Sequence, residues 1–479
     1  MMLINKLIKG SVLTLSLLSL IASTAEAVET SPPNIVFILA DDLGYGQLGA
    51  TGHTIIKTPN LDELAAKGIN FSQAYSGSTV CSPSRISLLT GRDSRLLYAN
   101  SNAISIRNSD VTLAQVLQQG GYETALFGKY GVGSEVGVND PLTMGFDYWY
   151  GFMHNIDAHR RYPEYLYRNN VKEKVEANAK GNKGAYSEEI FAQEAVSYIG
   201  KKHDKPFFVF LSFSTPHAEL AVPKKYFEQY RGRFEETPYI GMADGKSDTV
   251  YEHFYPEQVA QPNATTAAMI TAMDDYVGQV LTALKSAGLE ENTLVIFTSD
   301  NGPHEEGGAD PAYFEAAKPY RGTKRDLLDG GIHVPMIASW PAVIKAGRID
   351  STPIAFWDML PTFAQLSGVG LDTMPGVLTN GISVLPLLKR QGVKEQGVKL
   401  PKRVMYWEFA TRMWANTGTS PYQAARKGDW KAVRYGPQAP MELYNIIKDP
   451  GESTNLAAAS PELTHYFEKL FEEQLKIGR

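Results

Sequence analysis

The chain has 479 residues, of which 43% are hydrophobic and 20% charged, with 42 glycines and 27 prolines. This composition is that of a globular protein, and it excludes long disordered tracts, collagen-like repeats and coiled coils. The formal net charge of −6 argues against a nucleic-acid partner, because the overall field would repel a polyanion. A single cysteine, Cys81, excludes an intramolecular disulfide and a cysteine cluster for zinc or iron–sulfur.

Residues 1–27 have the pattern of a secretory signal peptide. Lys6 and Lys9 precede an apolar run over residues 12–22, and Ala25 and Ala27 form a small-x-small cleavage site. The run is short for a membrane span, and no later segment has about 18 consecutive apolar residues. We therefore expect cleavage near Ala27, export to the periplasm or the exterior, and no membrane anchor.

Four short apolar runs predict buried strands, at residues 34–40, 123–127, 206–213 and 293–298. The runs are continuous rather than alternating, which is typical of strands buried on both faces of a parallel sheet. Helical periodicity lies between them, at residues 60–67, 112–119 and 264–287. This alternation predicts a wound α/β fold, with a large, mostly parallel sheet flanked by helices.

Polar side chains follow each of these strands directly. Ligand sites in wound α/β sheets gather at the carboxyl ends of strands, so we expect these residues to meet. They are Asp41, Asp42, Lys129, His217, Asp300 and Asn301. Carboxylate and amide oxygens are hard ligands that suit Ca²⁺ or Mg²⁺. Taken singly, each Asp motif also fits an ordinary turn with an Asx cap.

The character of the sequence changes after about residue 370. Short strand patterns at residues 406–409, 430–434 and 442–444, and a helical pattern at 461–475, predict a small antiparallel sheet with a closing helix. We therefore divide the chain after the signal peptide into a catalytic α/β domain, 28–370, and a C-terminal subdomain, 371–479. The long stretches 154–185 and 218–262 show little periodicity and are predicted to be functional loops.

Cys81 lies in a motif of its own. Cys81-Ser-Pro-Ser-Arg85 precedes a short amphipathic helix, residues 86–92, whose N-terminus would stabilise an anion. A lone cysteine is otherwise most often a small buried hydrophobe. Here Cys-x-Pro-x-Arg followed by Leu-Thr-Gly-Arg is the modification signature of the sulfatases, and the sequence resembles that family, part of the alkaline phosphatase superfamily, along nearly all of residues 28–479. The matching stretches occur in the family's order, at residues 33–46, 58–65, 81–92, 128–133, 216–217, 298–302, 321–324, 330–335 and 442–450.

The resemblance implies a mechanism and a set of site residues. A dedicated maturation enzyme would oxidise Cys81 to Cα-formylglycine, whose hydrate is the nucleophile. Asp41, Asp42, Asp300 and Asn301, with the residue made from Cys81, would hold Ca²⁺, or alternatively Mg²⁺. Arg85 would hold the formylglycine, Lys129 and Lys324 would neutralise the sulfate oxygens, and His217 would protonate the leaving alcohol.

Two positions depart from the family pattern. Family members usually have histidine where this chain has Gly131, and that histidine deprotonates the formylglycine hydrate. His154 or His159, water, or the bound sulfate itself would have to replace it, or the protein would be slow or inactive. The second departure is Asp329-Gly-Gly-Ile-His333, where the family often has Glu-Gly-Gly-x-Arg; we interpret it as a structural change in a loop.

The expected substrate is a sulfated carbohydrate. His304, His154, His159 and Arg160 are candidate substrate contacts. Arg161 and Arg168 are further candidates for binding neighbouring sulfates, and aromatic residues at 406–409 for stacking on sugar rings. Two alternatives remain open at this point: a phosphomonoester or phosphonate-ester hydrolase of the same superfamily, and a non-catalytic glycan binder that keeps Cys81 as a thiol.

Overall fold

The structure is a computed structural model that describes residues 32–98, 100–102, 104–241, 255–390, 400–410 and 421–476. The predicted signal peptide lies outside these residues, so its cleavage stays a prediction. Within the described ranges, none of the helices has the length and apolar character needed to cross a bilayer.

A ten-stranded mixed sheet forms the centre of the fold, in the order β11-β2-β10-β9-β1-β8-β4-β5-β6-β7. The five strands from β9 to β5 are parallel to one another, and antiparallel strands extend both edges. Its strands are β1 (Asn34–Asp41), β2 (Ile69–Phe71), β4 (Glu123–Lys129), β5 (Tyr148–Phe152), β6 (Tyr165–Arg168), β7 (Val171–Lys174), β8 (Phe207–Pro216), β9 (Thr293–Ser299), β10 (Met336–Ser339) and β11 (Arg348–Asp350). Two further short strands, β3 (Ala74–Tyr75) and β12 (Ile354–Ala355), pair beside it.

Helices cover both faces of this sheet, because its central strands are apolar on both sides. On β1, Phe37 packs into one hydrophobic cluster and Val36 into the other. The predicted α/β class and the burial of the strands are therefore confirmed. The helices are α1 (Pro59–Lys67), α2 (Cys81–Thr90), α3 (Leu113–Gln119), α4 (Ser187–Ile199), α5 (Lys224–Phe227), α6 (Pro262–Ser286), α7 (Asp329–Ile332), α8 (Met359–Leu366), α9 (Leu385–Lys389) and α10 (Pro461–Lys476).

A separate four-stranded antiparallel sheet lies in the C-terminal part of the chain, as predicted. Its strands are β13 (Val404–Phe409), β14 (Tyr422–Lys427), β15 (Trp430–Arg434) and β16 (Glu442–Asn445), and α10 packs on one face. β14 has no counterpart among the strands predicted from the sequence. The aromatic residues of β13 are core residues: Trp407 packs with Trp357, and Tyr406 packs against Phe471 of α10. Tyr406 and Trp407 are fully buried, so the prediction that this motif stacks on sugar rings was wrong.

The first long loop is more ordered than its sequence pattern predicts. It contains the β6–β7 hairpin, which extends the edge of the large sheet. Arg168 of this hairpin forms ion pairs with Glu173 and Glu194. These ion pairs stabilise the sheet edge and occupy the guanidinium group that was predicted to bind a sulfate. Arg161 is fully buried and donates hydrogen bonds to backbone carbonyls, among them Ser214 and Ala158. Both arginines are structural, and their predicted role in sulfate binding was wrong.

Candidate active site

The carboxyl ends of the central strands meet at one edge of the sheet. In the register of β1, Asp41 pairs with Pro216 of β8, and Ala40 pairs with Ser299 of β9. The residues that follow these strands therefore reach the same level. Asp42 adopts a positive φ of 67°, and its backbone N–H donates to Asp300 Oδ1 at 3.1 Å. This turn places the Asp41-Asp42 pair beside the Asp300-Asn301 pair.

Cys81 is the first residue of α2, after the extended residue Val80. The helix is buried along its length, and the Ser84 hydroxyl donates to the Asp300 carbonyl at 2.6 Å, which anchors the first turn to the sheet edge. The Cys81 Sγ atom lies 3.1 Å from Asp41 Oδ1 and 3.8 Å from Asp42 Oδ1. Burial, together with the charges of Asp300 and Asp41, raises the pKa of this thiol well above its usual value, so an unmodified Cys81 stays protonated.

Three buried cationic side chains surround the carboxylates. Arg85 donates to Asp300 Oδ2 at 2.8 Å through Nε, and also to the Lys129 carbonyl and the Ser212 hydroxyl. Lys129 Nζ lies 2.6 Å from Asp41 Oδ2, and Lys324 Nζ lies 2.8 Å from Asp42 Oδ2. Buried charges are costly unless they are paired, and here each carboxylate has a cationic neighbour.

The carboxylates nevertheless differ in how well their charge is balanced. Burial raises the pKa of Asp42 to about 6. Lys324 opposes this shift, whereas the charges of Asp41 and Glu306 add to it. Burial and the charge of Asp41 raise the pKa of Asp300 to about 7, despite Arg85. For Asp41 burial acts in the same direction, but Lys129, His217 and Arg85 outweigh it and hold its pKa well below the usual value. Two of the three carboxylates are therefore protonated more easily than usual, and a further cation in the cluster would oppose this.

The donor set fits a hard divalent cation. One ligand atom each from Asp41, Asp42, Cys81 and His217 lies within 4.8 Å of the others. Asn301 donates its Nδ2 to Asp42 Oδ1 at 2.7 Å, while its buried Oδ1 accepts no hydrogen bond from any described residue. An unpartnered amide oxygen beside three carboxylates is a ligand set that Ca²⁺ or Mg²⁺ would satisfy.

His217 follows the end of β8 and is buried, with an exposure of 2%. Its Nδ1 faces the Ala218 carbonyl at 2.6 Å, so we assign the Nδ1 proton to that hydrogen bond. Its Nε2 lies 3.4 Å from Asp42 Oδ2 and 3.6 Å from Glu306 Oε2. Nε2 is therefore the ring nitrogen that faces the reacting groups.

A cavity of about 310 Å³ opens beside these residues. Its lining includes His217 and Lys324 of the cluster, the predicted substrate residues His154 and His159, and Gly131. The His159 ring stacks on the His217 ring, with a centroid distance of 4.6 Å. Arg160 points elsewhere: it lines a second cavity with Glu219 and Glu257, and the structure does not bring it together with the other site residues.

Gly131 is required by its own backbone as well as by the space around it. Its φ of 73° is a conformation that residues with a Cβ seldom adopt, and a Cβ there would lie 3.1 Å from Lys129 Cε. A histidine could not be introduced at this position without a local rearrangement. The backbone conformation after β4 therefore favours glycine at position 131 and disfavours the family histidine.

His304 and Glu306 follow the same strand as Asp300, but only Glu306 lines the cavity. His304 uses both ring nitrogens on the backbone: Nε2 faces the Pro216 carbonyl at 3.0 Å, and Nδ1 accepts from the Glu306 N–H. His304 therefore positions the backbone beside the cavity without lining it, and its predicted contact with substrate stays a prediction. Glu306 was not predicted, although it lies five residues after Asn301 in the same segment. Tyr255 was not singled out either, although it lies in the predicted functional loop 218–262.

The second departure from the family pattern lies in a different cluster. His333 is buried, stacks on Tyr320 with a centroid distance of 3.9 Å, and its Nε2 faces the Ser72 carbonyl at 3.1 Å. Asp329 forms an ion pair with Lys431 of β15 at 2.6 Å. Asp329 therefore links α7 to the C-terminal sheet, and His333 packs beside it with Nδ1 3.4 Å from Asp329 Oδ2, which supports the interpretation of a structural change.

Comparison with known proteins assigns this architecture. The fold is similar to that of a phosphonate monoester hydrolase of Agrobacterium radiobacter, at a TM-score of 0.66 and 22% identity, covering 92% of this chain and 95% of that one. Residues 33–369 match the family model described as Sulfatase, and residues 322–477 match the model for the C-terminal region of N-sulphoglucosamine sulphohydrolase. The chain belongs to the sulfatase family, and it is accordingly a sulfuric ester hydrolase.

Individual relatives agree with this assignment. The N-acetylgalactosamine-6-sulfatase of Mus musculus is 28% identical, over 94% of this chain and 86% of that protein. Arylsulfatase A of Homo sapiens is 30% identical, over 94% of this chain and 89% of that protein. Among solved structures, Ps i-CgsB in complex with k-i-k-neocarrahexaose has a TM-score of 0.73 and 26% identity, covering 92% of this chain and 93% of that one.

Proposed function

We propose that this sulfatase removes sulfate from a sulfated carbohydrate, with a Cα-formylglycine made from Cys81 as its nucleophile and Ca²⁺ as its metal. The observation that carries this proposal is the position of the Cys81 Sγ atom, at a helix N-terminus and 3.1 Å from Asp41 Oδ1. A structural cysteine would gain nothing from carboxylate neighbours that raise its pKa. A hydrated aldehyde at the same place would have its hydroxyls among metal ligands and cations.

The chain's own residues divide the remaining work. Lys129 and Lys324 approach the site from two sides and would neutralise the sulfate oxygens as the sulfur–oxygen ester bond breaks. His217 would protonate the leaving alcohol oxygen through Nε2, and this needs the doubly protonated ring because the Nδ1 proton stays in the hydrogen bond to Ala218. Burial and Lys324 lower the pKa of His217, while Asp41 and Glu306 oppose this shift, so the protonated ring would be a strong acid. Arg85, whose orientation is fixed by its hydrogen bonds to the Lys129 carbonyl and to Ser212, would hold the modified residue.

Asp41, Asp42, Asp300 and Asn301 would hold the metal ion. When bound, Ca²⁺ would lower the pKa of the nucleophilic hydroxyl and clamp a sulfate oxygen. Two observations support this assignment. A divalent cation would be a partner for the unpartnered Asn301 Oδ1, and it would lower the raised pKa values of Asp42 and Asp300.

A basic group in place of the family histidine has two candidates in the cavity wall, His154 and His159. His159 lies closer to the chemistry, since its ring stacks on that of His217. Burial and Lys129 lower the pKa of His159 to about 3, so its ring is neutral at neutral pH but weakly basic; the proposal rests on its position and not on this pKa. We propose His159 as the replacement. An at least tenfold loss of kcat in His159→Ala but not in His154→Ala would support this choice, and equal losses would contradict it.

The carbohydrate substrate rests on the relatives. The name of the relative N-acetylgalactosamine-6-sulfatase refers to a sulfated amino sugar, and Ps i-CgsB was crystallised with a neocarrahexaose. The cavity of about 310 Å³ has room for a sugar unit beside the sulfate. Desulfation of a panel of sulfated oligosaccharides, with and without chelator, would identify the glycan and test the metal together.

Two measurements test the nucleophile and the reaction class. Mass spectrometry of the peptide that ends at Arg85 would show the loss of the Cys81 sulfur if formylglycine is present; an intact thiol would contradict the mechanism. Rates on paired aryl sulfate and aryl phosphate esters separate a sulfatase from a phosphate-ester hydrolase of the same fold. We expect the aryl sulfate to react faster.

Export is a separate proposal, and it rests on the sequence of residues 1–27 alone. Its test is N-terminal sequencing of the protein recovered from the periplasm or medium of the expressing cells. We expect the N-terminus to follow Ala27, and a retained Met1 would contradict export by this route.

A further inference from the structure

Glu306 is a buried carboxylate in the wall of the cavity, with an exposure of 5%. Tyr255 donates its hydroxyl to Glu306 Oε2 at 2.5 Å, and Lys324 Nζ lies 3.3 Å from Oε1. Arg325 also pairs with Oε1, and the Glu306 N–H donates to His304. These contacts hold the carboxylate in one orientation at the cavity wall.

Glu306 lies close to the atoms that would react under the proposed function. Its Oε2 lies 3.6 Å from His217 Nε2, the atom that would protonate the leaving oxygen under the proposed function. Oxygens on neighbouring carbons of a sugar ring lie within about a hydrogen-bond length of each other. A sugar whose leaving oxygen meets His217 would therefore present its neighbouring substituent to Glu306.

The charge of Glu306 decides which substituent fits. Burial alone would raise its pKa, but Lys324, His217 and Arg325 outweigh burial and hold the pKa well below the usual value, so the side chain is ionised. An ionised carboxylate only accepts hydrogen bonds, and Tyr255 and the cations leave it further acceptor sites. It therefore favours a hydroxyl or an amide N–H, and it repels a second sulfate.

We propose that Glu306, held by Tyr255, is a specificity-determining residue that selects sulfated sugars with a free hydroxyl or N–H group next to the scissile sulfate ester. The same carboxylate rejects sugars that carry a second sulfate at that neighbouring position. This inference rests on the proposed function, and it adds the substitution pattern of the substrate. For a densely sulfated glycan, it implies that another sulfatase acts first at the neighbouring position.

The test compares substrates within each variant, so that general damage to the site cancels. For the monosulfated methyl glycoside that the enzyme hydrolyses fastest, kcat/KM is divided by the value for the same sugar with a second, neighbouring sulfate. We expect this ratio to be high in the wild-type enzyme. It should fall at least tenfold in Glu306→Gln, which keeps the shape of the side chain and removes its negative charge. Tyr255→Phe should lower the ratio by a smaller factor, because the carboxylate stays but loses one donor.

Glu305→Gln is the matched control, because Glu305 is the adjacent residue and its side chain is exposed. It should leave the ratio within about twofold. A 4-nitrophenyl sulfate assay is run on every variant. If this ester is hydrolysed but Glu306→Gln leaves the sugar ratio unchanged, the specificity role is wrong and the proposed function stands. If neither the sugars nor the aryl sulfate react with formylglycine-containing enzyme, the proposed function itself fails.

Discussion

Two buried clusters of charged residues differ in how their charges are balanced. The catalytic cluster consists of Asp41, Asp42, Asp300, Arg85, Lys129 and Lys324; the sheet-junction cluster consists of Asp329, Lys431, Glu452, Tyr75 and Arg426. Both lie in regions from which water is largely excluded. They differ in the state of their aspartates, and an amide oxygen without a donor among the described residues, Asn301 Oδ1, lies beside the catalytic cluster.

In the sheet-junction cluster, Asp329 has a full set of partners. Lys431 Nζ lies 2.6 Å from its Oδ1, and the Tyr75 hydroxyl donates to its Oδ2 at 2.9 Å. Burial raises its pKa, but Lys431 and His333 outweigh that effect and lower the pKa. In the catalytic cluster, Asp42 and Asp300 have raised pKa values, and Asn301 Oδ1 lacks a donor among described residues. Raised aspartate pKa values beside an unpartnered amide oxygen thus indicate the place for a cation, whereas the lowered pKa of Asp329 indicates a structural ion pair.

Removing the nucleophile should produce the largest effect. Cys81→Ala should lower kcat on an aryl sulfate by at least about 10³-fold, because no other group supplies the attacking hydroxyl. The free energy of unfolding should change little, since the side chain is small. Steady-state kinetics and urea unfolding measure the two effects. A variant that kept full activity would refute the mechanism.

Breaking the sheet-junction cluster should affect stability instead. Lys431→Met should lower the free energy of unfolding by about 3–5 kcal/mol, because Asp329 and Glu452 would lose the cation that lies between them. Urea denaturation measures this change. Lys427→Met is the matched control on the same sheet, since Lys427 is exposed, and it should cost within about 0.5 kcal/mol. Equal losses for the two variants would show that the buried cluster has no special role.

Calcium should stabilise the protein through the catalytic cluster alone. At a concentration of about 100 times its Kd, Ca²⁺ should add about 2.7 kcal/mol to the free energy of unfolding. Asn301→Ala should weaken this effect, because it removes the unpartnered ligand oxygen, whereas Lys431→Met should retain it. Thermal unfolding with Ca²⁺ and with chelator distinguishes the two. A calcium-induced shift that Asn301→Ala leaves unchanged would place the ion elsewhere.

The smallest expected effect is the contribution of Glu452 to the pH dependence of the free energy of unfolding. Burial raises its pKa to about 7, with Lys431 opposing and Asp329 adding to the shift. The folded state therefore binds this proton more tightly than the unfolded state, so stability is greater below the usual pKa and falls as pH rises towards 7. Glu452→Gln should remove about 2.5 kcal/mol of this change in stability between pH 4.5 and 7. Urea unfolding across that range measures it; a slope that the substitution leaves intact would assign the proton to another group.

The sequence by itself determined the α/β class and most of the catalytic cluster. Buried strands are continuous apolar runs, and functional groups lie where those runs stop, so Asp41, Lys129, His217 and Asp300 were visible as strand ends. The motif around Cys81 added the nucleophile. Both signals are local, because each needs only a few adjacent residues.

Tertiary structure alone decided which polar groups are structural. Arg161, Arg168 and the aromatic residues of β13 have the composition of a glycan site, but their contacts are made within the fold. Glu306 and Tyr255 became recognisable only because the chain brings residues 51 positions apart into contact beside His217. A side chain's role depends on its partners, and partners distant along the chain leave no periodic trace in the sequence.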